Sequence, residues 1–348
     1  MEYRTFGSTG LQVSAIGFGT WPISAGRYGA IDDDEVSRAI NRAIDVGINC
    51  VDTAPGYGSG HSEEVVGRAL GSRRKDVILV TKCGIFSDPV KRMGRDSTRA
   101  NILKEVDASL RRLGTDWIDV HLVHWPDPEV AFEETAAAMD ECVRAGKVRY
   151  VGVSNYAVAH MRRFMSVRPL NVQQVGYHLF DRRMEREMFP FCLEQNVGVM
   201  VYGSLAHGLL TGAWTGDTSF EDGDWRGTGI AIGQPILRGE NFRANVTVVE
   251  RLKAEVAGPR GVPVTQIALA WVLQHPAVST ALVGARTPTE VDQNVDGAAL
   301  KLTPAEVGKI DEIMRGARGM HDRFDPFGHP MDDWSPPPIQ AASPIPAR

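Results

Sequence analysis

The sequence predicts an α/β protein built as a single (β/α)8 barrel, the TIM-barrel architecture. Short runs of β-branched residues alternate with amphipathic stretches from about residue 16 to residue 300, which is the pattern of repeated strand–helix units around a parallel sheet. Eight such runs occur, and eight parallel strands close a barrel. The predicted strands are Ile16–Gly19, Ile48–Asp52, Val77–Lys82, Asp119–His124, Val148–Ser154, Val172–Tyr177, Val197–Tyr202 and Val278–Val283.

The helical segments between these strands carry start and stop signals. After the third strand, Ser97 is expected to cap a helix and Gly114 to end it in the left-handed conformation. After the second strand, Ser62 is expected to cap a helix, and Glu63 and Glu64 suit the positive end of its dipole. We interpret all of these as structural residues.

Three further segments complete the predicted architecture. We expect an N-terminal β-hairpin before the barrel, and a long loop after the seventh strand, between Tyr202 and about Val246. That loop is rich in Gly, Asp and Thr and far exceeds the usual βα loop, so a lid over a ligand is predicted. We expect residues 1–315 to form one barrel domain and residues 316–348 an irregular, proline-rich tail.

Composition excludes several classes of function. The 348-residue chain has a net charge of -5 and a pI near 6.0, so it offers no basic stripe for nucleic acid. No secretory signal and no long apolar run is visible, which predicts a cytoplasmic protein without a membrane partner. The four cysteines are scattered, as is typical of reduced core thiols. We expect small-molecule partners, and the oligomeric state leaves no readable trace.

Polar residues stand at the carboxyl ends of several predicted strands. They are Asp52, Lys82, His124, Ser154 with Asn155, and Tyr202. Each alone has an ordinary structural explanation: a strand-terminal Asp can cap a turn, a Lys can reach water, and a His can be a satisfied core residue. In a barrel, however, all these strand ends meet on one face, where active sites are built. The sequence therefore predicts one polar site.

These residue types suit the reduction of a carbonyl group. Tyr57, in the glycine-rich loop after the second strand, is a candidate proton donor for the alkoxide that forms when a nicotinamide cofactor delivers hydride. A free tyrosine has a pKa near 10, and we expect the Lys82 ammonium to lower it. Asp52 would keep Lys82 charged and oriented. His124 would donate to the carbonyl oxygen.

In eight segments the chain resembles the aldo-keto reductase family, from about Tyr3 to Leu300. The segments are GFGT at 17–20, DTAPGYGSGHSEEVVGRAL at 52–70, VTKCG at 80–84, DVHLVHWP at 119–126, GVSN at 152–155, QVGY at 174–177, YGSLAHGLLTG at 202–212 and GARTPTEVDQN at 284–294. The resemblance implies that Asp52, Tyr57, Lys82 and His124 match the catalytic tetrad of that family.

The resemblance also implies a nicotinamide dinucleotide site. Its implied residues are Gly19, Thr20, Ser154, Asn155, Gln174, Tyr202, Gly203, Leu205, Gly208, Gly284, Arg286, Glu290, Gln293 and Asn294. Among them Ser154, Asn155 and Gln174 would hold the carboxamide, Tyr202 would stack on the nicotinamide, and the loop after Tyr202 would cover the pyrophosphate. Arg286 would face the 2′-phosphate, for which its planar fork is suited, so NADPH is favoured over NADH.

The expected substrate is a carbonyl or alcohol compound, such as an aldehyde, a ketone or a sugar. The residues expected to contact it are Trp21, Tyr57, His124 and Trp125. The aromatic character of these residues favours an apolar or ring-bearing carbonyl. Neither the physiological substrate nor the direction of the reaction in the cell can be read from the sequence.

Three other functions compete with this interpretation. A metal-dependent hydrolase would need Asp52, His121 and His124 as ligands, but two histidines three apart in a strand point to opposite faces. A Rossmann dinucleotide site would need Gly-x-Gly-x-x-Gly between a strand and a helix, and the Gly-x-Gly patterns here lack that context. A regulatory sensor that binds the cofactor with little turnover, like the resembling potassium-channel β subunits, stays open.

Overall fold

A closed barrel of eight parallel strands forms the centre of the protein, as the sequence predicts. The structure, a computed structural model, describes residues 1–24, 31–88 and 92–320. The barrel strands are β3 (Ile16–Gly19), β4 (Cys50–Asp52), β5 (Ile78–Cys83), β8 (Ile118–Val123), β9 (Val148–Ser154), β10 (Val172–Gly176), β11 (Gly198–Tyr202) and β12 (Val278–Val283). They follow one another around the barrel, which closes where Ala281 of β12 pairs with Ile16 of β3. Every strand end lies within two residues of its predicted position.

Helices surround the barrel on its outside. They are α1 (Asp33–Asp45), α2 (His61–Leu70), α3 (Arg99–Leu113), α4 (Phe132–Arg144), α5 (Val158–Met165), α6 (Met188–Glu194), α7 (Gly239–Leu252), α8 (Gly258–Arg260), α9 (Val264–Leu273), α10 (Pro288–Ala299) and α11 (Pro304–Met314). Short 3-10 segments occur at Gly7–Thr9, Trp21–Ile23, Gly71–Asp76, Arg183–Glu185, Ala206–Thr211 and Trp225–Thr228, and a π-helical turn at Lys253–Ala257 joins α7 to α8. The main hydrophobic core lies between these helices and the strands.

The predicted N-terminal hairpin, β1 (Tyr3–Thr5) with β2 (Gln12–Ser14), closes the bottom of the barrel. Phe6 and Val13 from this region are buried in the barrel interior. They join a second apolar cluster contributed by the strands, which includes Val80, Val120, Leu122, Val172 and Met200. The barrel is therefore filled by side chains, and its open end is the opposite one, where the strands reach their carboxyl termini.

Two helix caps differ from the sequence-based expectation. Helix α2 begins after Gly60, whose φ of 97° puts it in the left-handed region, and the side chain of Ser62 does not cap it. Thr98, not Ser97, caps α3 by accepting a hydrogen bond from the amide of Asn101. In both cases the predicted capping residue is fully buried, because it lies on the side of the chain that faces the barrel.

A second hairpin, β6 (Ile85–Asp88) with β7 (Arg92–Arg95), extends from the end of β5 and was not predicted. Its strands have four residues each, too few for a periodic pattern to identify. The main-chain amide of Asp96 donates to the carbonyl of Gly84, which closes the hairpin at its base. The hairpin adds an antiparallel flap at the open end of the barrel.

The long loop after β11 carries a small apolar cluster of its own. Trp214 contacts Phe220 edge to face at 5.0 Å and lies 5.9 Å from Phe242 of α7. The guanidinium of Arg226 lies 5.6 Å from the ring of Trp214 and forms a two-pronged ion pair with Asp224. The loop is thus packed against the barrel. The predicted C-terminal tail lies outside the described residues from position 321 onward.

Candidate active site

Asp52 and Lys82 meet at the open end of the barrel in a fully enclosed ion pair. Asp52 is the last residue of β4 and is 3% exposed; Lys82 lies near the end of β5 and is 0% exposed. The Lys82 ammonium donates to both carboxylate oxygens of Asp52, at 2.8 and 3.0 Å, and to the carbonyl of Thr53 at 2.8 Å. These contacts fix the ammonium in one position below the rim.

Tyr57 and His124 stand above this ion pair. The Lys82 ammonium lies 3.2 Å from the hydroxyl oxygen of Tyr57. His124 directly follows β8, its amide donates to the carbonyl of Cys83, and its ring meets that of Tyr57 edge to face at 5.7 Å. Both rings are partly exposed, whereas Asp52 and Lys82 are not. The three residues predicted at strand ends and Tyr57 from the loop after β4 therefore form one cluster, which opens to solvent at a phenol and an imidazole.

The environment sets the protonation of this cluster. Burial, assisted by the Asp52 carboxylate, raises the pKa of Tyr57 well above its ordinary value. The expected lowering of the pKa of Tyr57 by Lys82 does not decide the outcome: the ammonium lies 3.2 Å from the phenol oxygen, but burial and the Asp52 carboxylate outweigh it. Burial and the charge of Lys82 lower the pKa of His124, so its imidazole is neutral at neutral pH. At the rim stand a protonated phenol and an uncharged imidazole.

Polar residues of β9, β10 and β11 continue the cluster around the barrel. The amide nitrogen of Gln174, on β10, donates to Asp52 at 2.8 Å, a contact between residues 122 positions apart that the sequence pattern does not indicate. The hydroxyl of Tyr202 donates to the amide oxygen of Asn155 at 2.9 Å, and the amide nitrogen of Asn155 lies 3.0 Å from the hydroxyl of Ser154. Asn155 has a φ of 62°, which Asn tolerates better than most residues.

The ring of Tyr202 lies over a residue that has no side chain. A Cβ on Gly176, at the end of β10, would meet the Tyr202 ring at 3.3 Å. Tyr202 is partly exposed. Its aromatic face thus borders the cluster of polar groups at the rim.

An aromatic cluster lies on the side of the rim formed by β3 and the loop after β11. Trp21 stacks on Trp225 at 5.1 Å, and His207 meets both rings edge to face, at 5.9 Å from Trp21 and 5.2 Å from Trp225. Burial lowers the pKa of His207 to about 3, so its ring is neutral. Trp225 was not selected from the sequence, because a tryptophan in a long loop has no periodic pattern around it.

A sequence model of the Aldo/keto reductase family matches residues 15–315 of this chain. The match begins at the first barrel strand and ends one residue after α11. The chain belongs to the aldo/keto reductase family. The resemblance that the eight sequence segments indicated is confirmed, and the protein is an oxidoreductase of this family.

Relatives of this reductase share both sequence and fold. It is 40% identical to the aldo-keto reductase YhdN of Bacillus subtilis over 84% of this chain and 87% of that protein. It is 32% identical to the NADH-specific methylglyoxal reductase of Escherichia coli over 90% of this chain and 98% of that protein. The solved structure of the glycerol dehydrogenase AKR11B4 from Gluconobacter oxydans superposes with a TM-score of 0.81 at 37% identity, covering 89% of this chain and 94% of that one.

The predicted adenosine end of the reductase lies at β12 and the start of α10. Arg286 is half-exposed, and its main-chain amide donates to the carboxylate of Glu290 at 2.7 Å. Thr287 caps α10 by accepting from the amide of Glu290. Asn294 is buried and Gln293 is exposed on the same helix. An arginine thus stands at the N-terminus of a twelve-residue helix, an arrangement suited to an anion.

The remaining predicted residues lie in the loops that follow β3, β8, β11 and β12. A Cβ on Gly284 would overlap Pro22, next to Trp21, so the β12 loop and the β3 loop are in close contact. Gly203 and Gly208, in the loop after β11, have φ values of 69° and 112°. Leu205 precedes a run of three left-handed residues, 206–208. Trp125 lies beside the flap, with the guanidinium of Arg95 at 5.7 Å.

The alternative metal site finds no support in the geometry. Val120 and Leu122 of β8 face the barrel interior, so His121 between them faces the outer helices. His124 lies at the rim, beyond the end of the strand. Within residues 1–24, 31–88 and 92–320, no group of three His, Cys, Asp or Glu side chains is placed to hold a metal ion. The same described part of the chain contains no helix long and apolar enough to cross a membrane.

Proposed function

We propose that the protein is an NADPH-dependent reductase that transfers hydride between the nicotinamide and a carbonyl or alcohol substrate, with Tyr57 as the acid–base group. The observation that carries this proposal is the Asp52–Lys82–Tyr57 contact chain, in which a buried ion pair ends on a phenol at the barrel rim. His124 completes the cluster on the other side of the phenol. These are the four residue types that carbonyl reduction needs at one place.

In the proposed mechanism, the neutral imidazole of His124 donates a hydrogen bond to the carbonyl oxygen and so orients and polarises the substrate. Bound NADPH supplies the hydride for the carbonyl carbon. The developing alkoxide is much more basic than a phenolate, so the protonated Tyr57 gives it a proton even with a raised pKa. The Lys82 ammonium, 3.2 Å away, stabilises the phenolate left behind, and Asp52 holds that ammonium in place.

The residues present fit a phosphorylated dinucleotide. The partly exposed aromatic ring of Tyr202 and the hydroxyl and amide groups of Ser154 and Asn155 supply a platform and hydrogen-bonding groups for a nicotinamide. The half-exposed guanidinium of Arg286, just before α10, supplies a cation with a planar fork for a phosphate. We propose that Arg286 gives NADPH its advantage over NADH. The related methylglyoxal reductase of Escherichia coli is NADH-specific, so the cofactor preference of this chain is tested by measuring the binding of both cofactors.

A titration with the two cofactors tests the proposal. Purified protein is titrated with NADPH and with NADH by tryptophan fluorescence, and then offered aliphatic, aromatic and sugar aldehydes while NADPH absorbance is followed. Tighter binding of NADPH with turnover of a carbonyl is the expected result. Binding without turnover across the panel would favour the cofactor-binding sensor instead, and lack of binding to either cofactor would refute both functions.

The variant Tyr57→Phe tests the proton donor. It removes only the hydroxyl oxygen, so cofactor binding should be retained while kcat falls about 10²-fold or more, the usual scale of general acid catalysis. Tyr150→Phe is the matched control, because Tyr150 lies near the beginning of β9, at the other end of the barrel. Near-normal turnover by Tyr57→Phe would remove Tyr57 from its proposed role.

A further inference from the structure

The first turn of helix α2 places two polar side chains behind the Asp52–Lys82 pair. Ser62 and Glu63 are adjacent, both are 0% exposed, and neither reaches the open rim. Their side chains contact different strands of the barrel, Ser62 near the ends of β3 and β4 and Glu63 on β5. The sequence suggested helix capping and a dipole interaction for these residues, and the structure gives them other partners.

Ser62 is the centre of a chain of three hydroxyl groups. Its oxygen lies 2.9 Å from the hydroxyl of Thr53 and 2.8 Å from that of Thr20, and all three residues are fully buried. The carbonyl of Thr53 accepts a hydrogen bond from Lys82, and the amide of Thr20 donates to the carbonyl of Asp52. The hydroxyl chain therefore fixes the two backbone segments that hold the ion pair.

Glu63 approaches the other side of β5. Its carboxylate accepts a hydrogen bond from Thr81, the residue before Lys82, at 2.7 Å. Arg112 of α3 balances its charge with a contact of 2.6 Å. Burial lowers the pKa of Lys82; the Asp52 carboxylate is the main group that opposes this, and the negative charge of Glu63 acts in the same direction as Asp52. A buried carboxylate with a hydrogen bond to the strand that carries Lys82 is thus coupled to that residue both mechanically and electrostatically.

We propose that Ser62 and Glu63 are positioning residues for the reduction: Ser62 fixes the place of the Lys82 ammonium through Thr20 and Thr53, and Glu63, hydrogen-bonded to Thr81, puts a buried negative charge against the strand that carries Lys82. Neither side chain reaches the rim where the substrate binds. The inference rests on the proposed function, since the position and the charge of the Lys82 ammonium affect turnover only if Tyr57 is the acid–base group. It assigns a functional role to the first turn of α2, in addition to its structural role.

The first experiment measures the pKa of Lys82 directly and does not depend on enzyme activity. The ammonium of Lys82 is followed by nitrogen NMR as a function of pH in the cofactor-free protein, with its signal assigned by loss in Lys82→Met. Glu63→Gln removes one negative charge next to the strand that carries Lys82, so it should lower the pKa of Lys82. The high-pH limb of kcat/KM should move in the same direction.

Asp119→Asn is the matched control for Glu63→Gln. Asp119 is also a buried carboxylate of the barrel, paired with Arg74 at 2.8 Å and Arg149 at 3.0 Å, but it lies at the beginning of β8, away from the rim. It should lower stability to a similar extent and leave the titration of Lys82 unchanged. An unchanged pKa of Lys82 in Glu63→Gln, or an equal change in Asp119→Asn, would overturn the electrostatic role.

The second experiment breaks the hydroxyl chain with little change of shape. Thr53→Val keeps the volume of the side chain and removes the hydroxyl, while Thr53→Ser keeps the hydroxyl. We expect kcat to fall about 10-fold in Thr53→Val and in Ser62→Ala, with KM values within about twofold of the wild type, because misplacement of a catalytic group lowers turnover rather than binding. Thr53→Ser should stay close to wild type.

Loss of thermal stability with unchanged kcat in Thr53→Val and Ser62→Ala, or equal losses of kcat in Thr53→Val and Thr53→Ser, would refute the positioning role of Ser62. If the wild type binds NADPH and reduces nothing, the proposed function fails. In that case the chemical shift of the Lys82 ammonium still decides the inference: it should move in Thr53→Val and stay in place in Thr53→Ser.

Discussion

At the scale of single residues, the Asp52–Lys82 pair is the strongest constraint on the site. Taking two charges out of water costs several kcal/mol for each ion, and only well-placed partners offset that cost. Here the ammonium has the carboxylate and the carbonyl of Thr53, and the carboxylate has a further donor in Gln174. Loss of either charge would leave the other buried without a counter-ion. The pair is therefore costly to build and costly to break.

Arg286 carries a prediction about cofactor choice at the same scale. Because a hydrogen-bonded charge contributes about 1.5–3 kcal/mol, Arg286→Ala should raise KM for NADPH roughly 10-fold or more and change KM for NADH little. Steady-state kinetics with both cofactors measures this. Arg42→Ala is the control, since Arg42 of α1 is a half-exposed arginine that pairs with Asp292 of α10. Parallel changes for NADPH and NADH in Arg286→Ala would exclude Arg286 from a phosphate site.

At the scale of elements, the N-terminal hairpin depends on one close backbone approach. Gly7 has a φ of 52°, and a Cβ on it would lie 2.1 Å from the amide nitrogen of Gly198, at the beginning of β11. Gly198 itself has no room for a Cβ, because Phe6 stands in that place. The turn between β1 and β2 thus contacts the lower edge of the barrel through two glycines.

Gly7→Ala should therefore destabilise the protein by about 3 kcal/mol, from left-handed strain of about 1 kcal/mol together with overpacking of about 2 kcal/mol. Gly10→Ala is the matched control, because Gly10 has a φ of 71° and open space around the position of a Cβ. It should lose only about 1 kcal/mol. Urea unfolding of both variants measures the difference, and equal losses would show that strain alone matters at this turn.

At the scale of the whole molecule, buried histidines make stability depend on pH. Burial lowers the pKa of His121 to about 4 and those of His178 and His207 to about 3, from an ordinary value of 6.5. Between these values the unfolded chain binds protons that the folded protein does not. Their contribution to stability is complete above pH 6.5 and is lost as the pH falls toward 3.

Glu105 acts in the opposite direction. Burial raises its pKa to about 7 from 4.5, so its contribution is present below pH 4.5 and is lost as the pH rises through 7. Between pH 4.5 and pH 6.5 both effects operate. As the pH falls through this range, the stability lost through the three histidines exceeds the stability gained through Glu105. The free energy of unfolding should therefore decrease between pH 6.5 and pH 4.5, by about 1.4 kcal/mol per pH unit for each uncompensated proton.

Urea unfolding at several pH values measures this slope. His207→Asn removes one of the groups while keeping a residue type that tolerates the φ of 59° at this position, so the slope should become shallower. His61→Gln is the control, because His61 is a partly exposed residue at the start of α2. A flat profile for the wild type, or an equal change in both variants, would contradict the prediction.

The sequence by itself determined the barrel and the position of its site. Eight apolar runs, each separated from the next by a helical segment, predict a closed parallel sheet. The hydrophobic pattern depends on neighbouring residues only, so it located each strand end to within two residues. Asp52, Lys82 and His124 could be grouped without coordinates because topology alone brings the carboxyl ends of parallel strands together. Tyr57 and the cofactor residues were selected by the family resemblance and by residue chemistry, and their roles stay predictions.

Only the tertiary structure decided which side chains stand behind that site and how they are protonated. Ser62 looks like a helix cap in sequence, but packing against the barrel turns its hydroxyl toward Thr20 and Thr53. The contact of Gln174 with Asp52, and of Trp225 with Trp21, joins segments far apart in the chain. Protonation depends on desolvation and on the sum of nearby charges, and neither can be calculated before the chain has folded around the groups concerned.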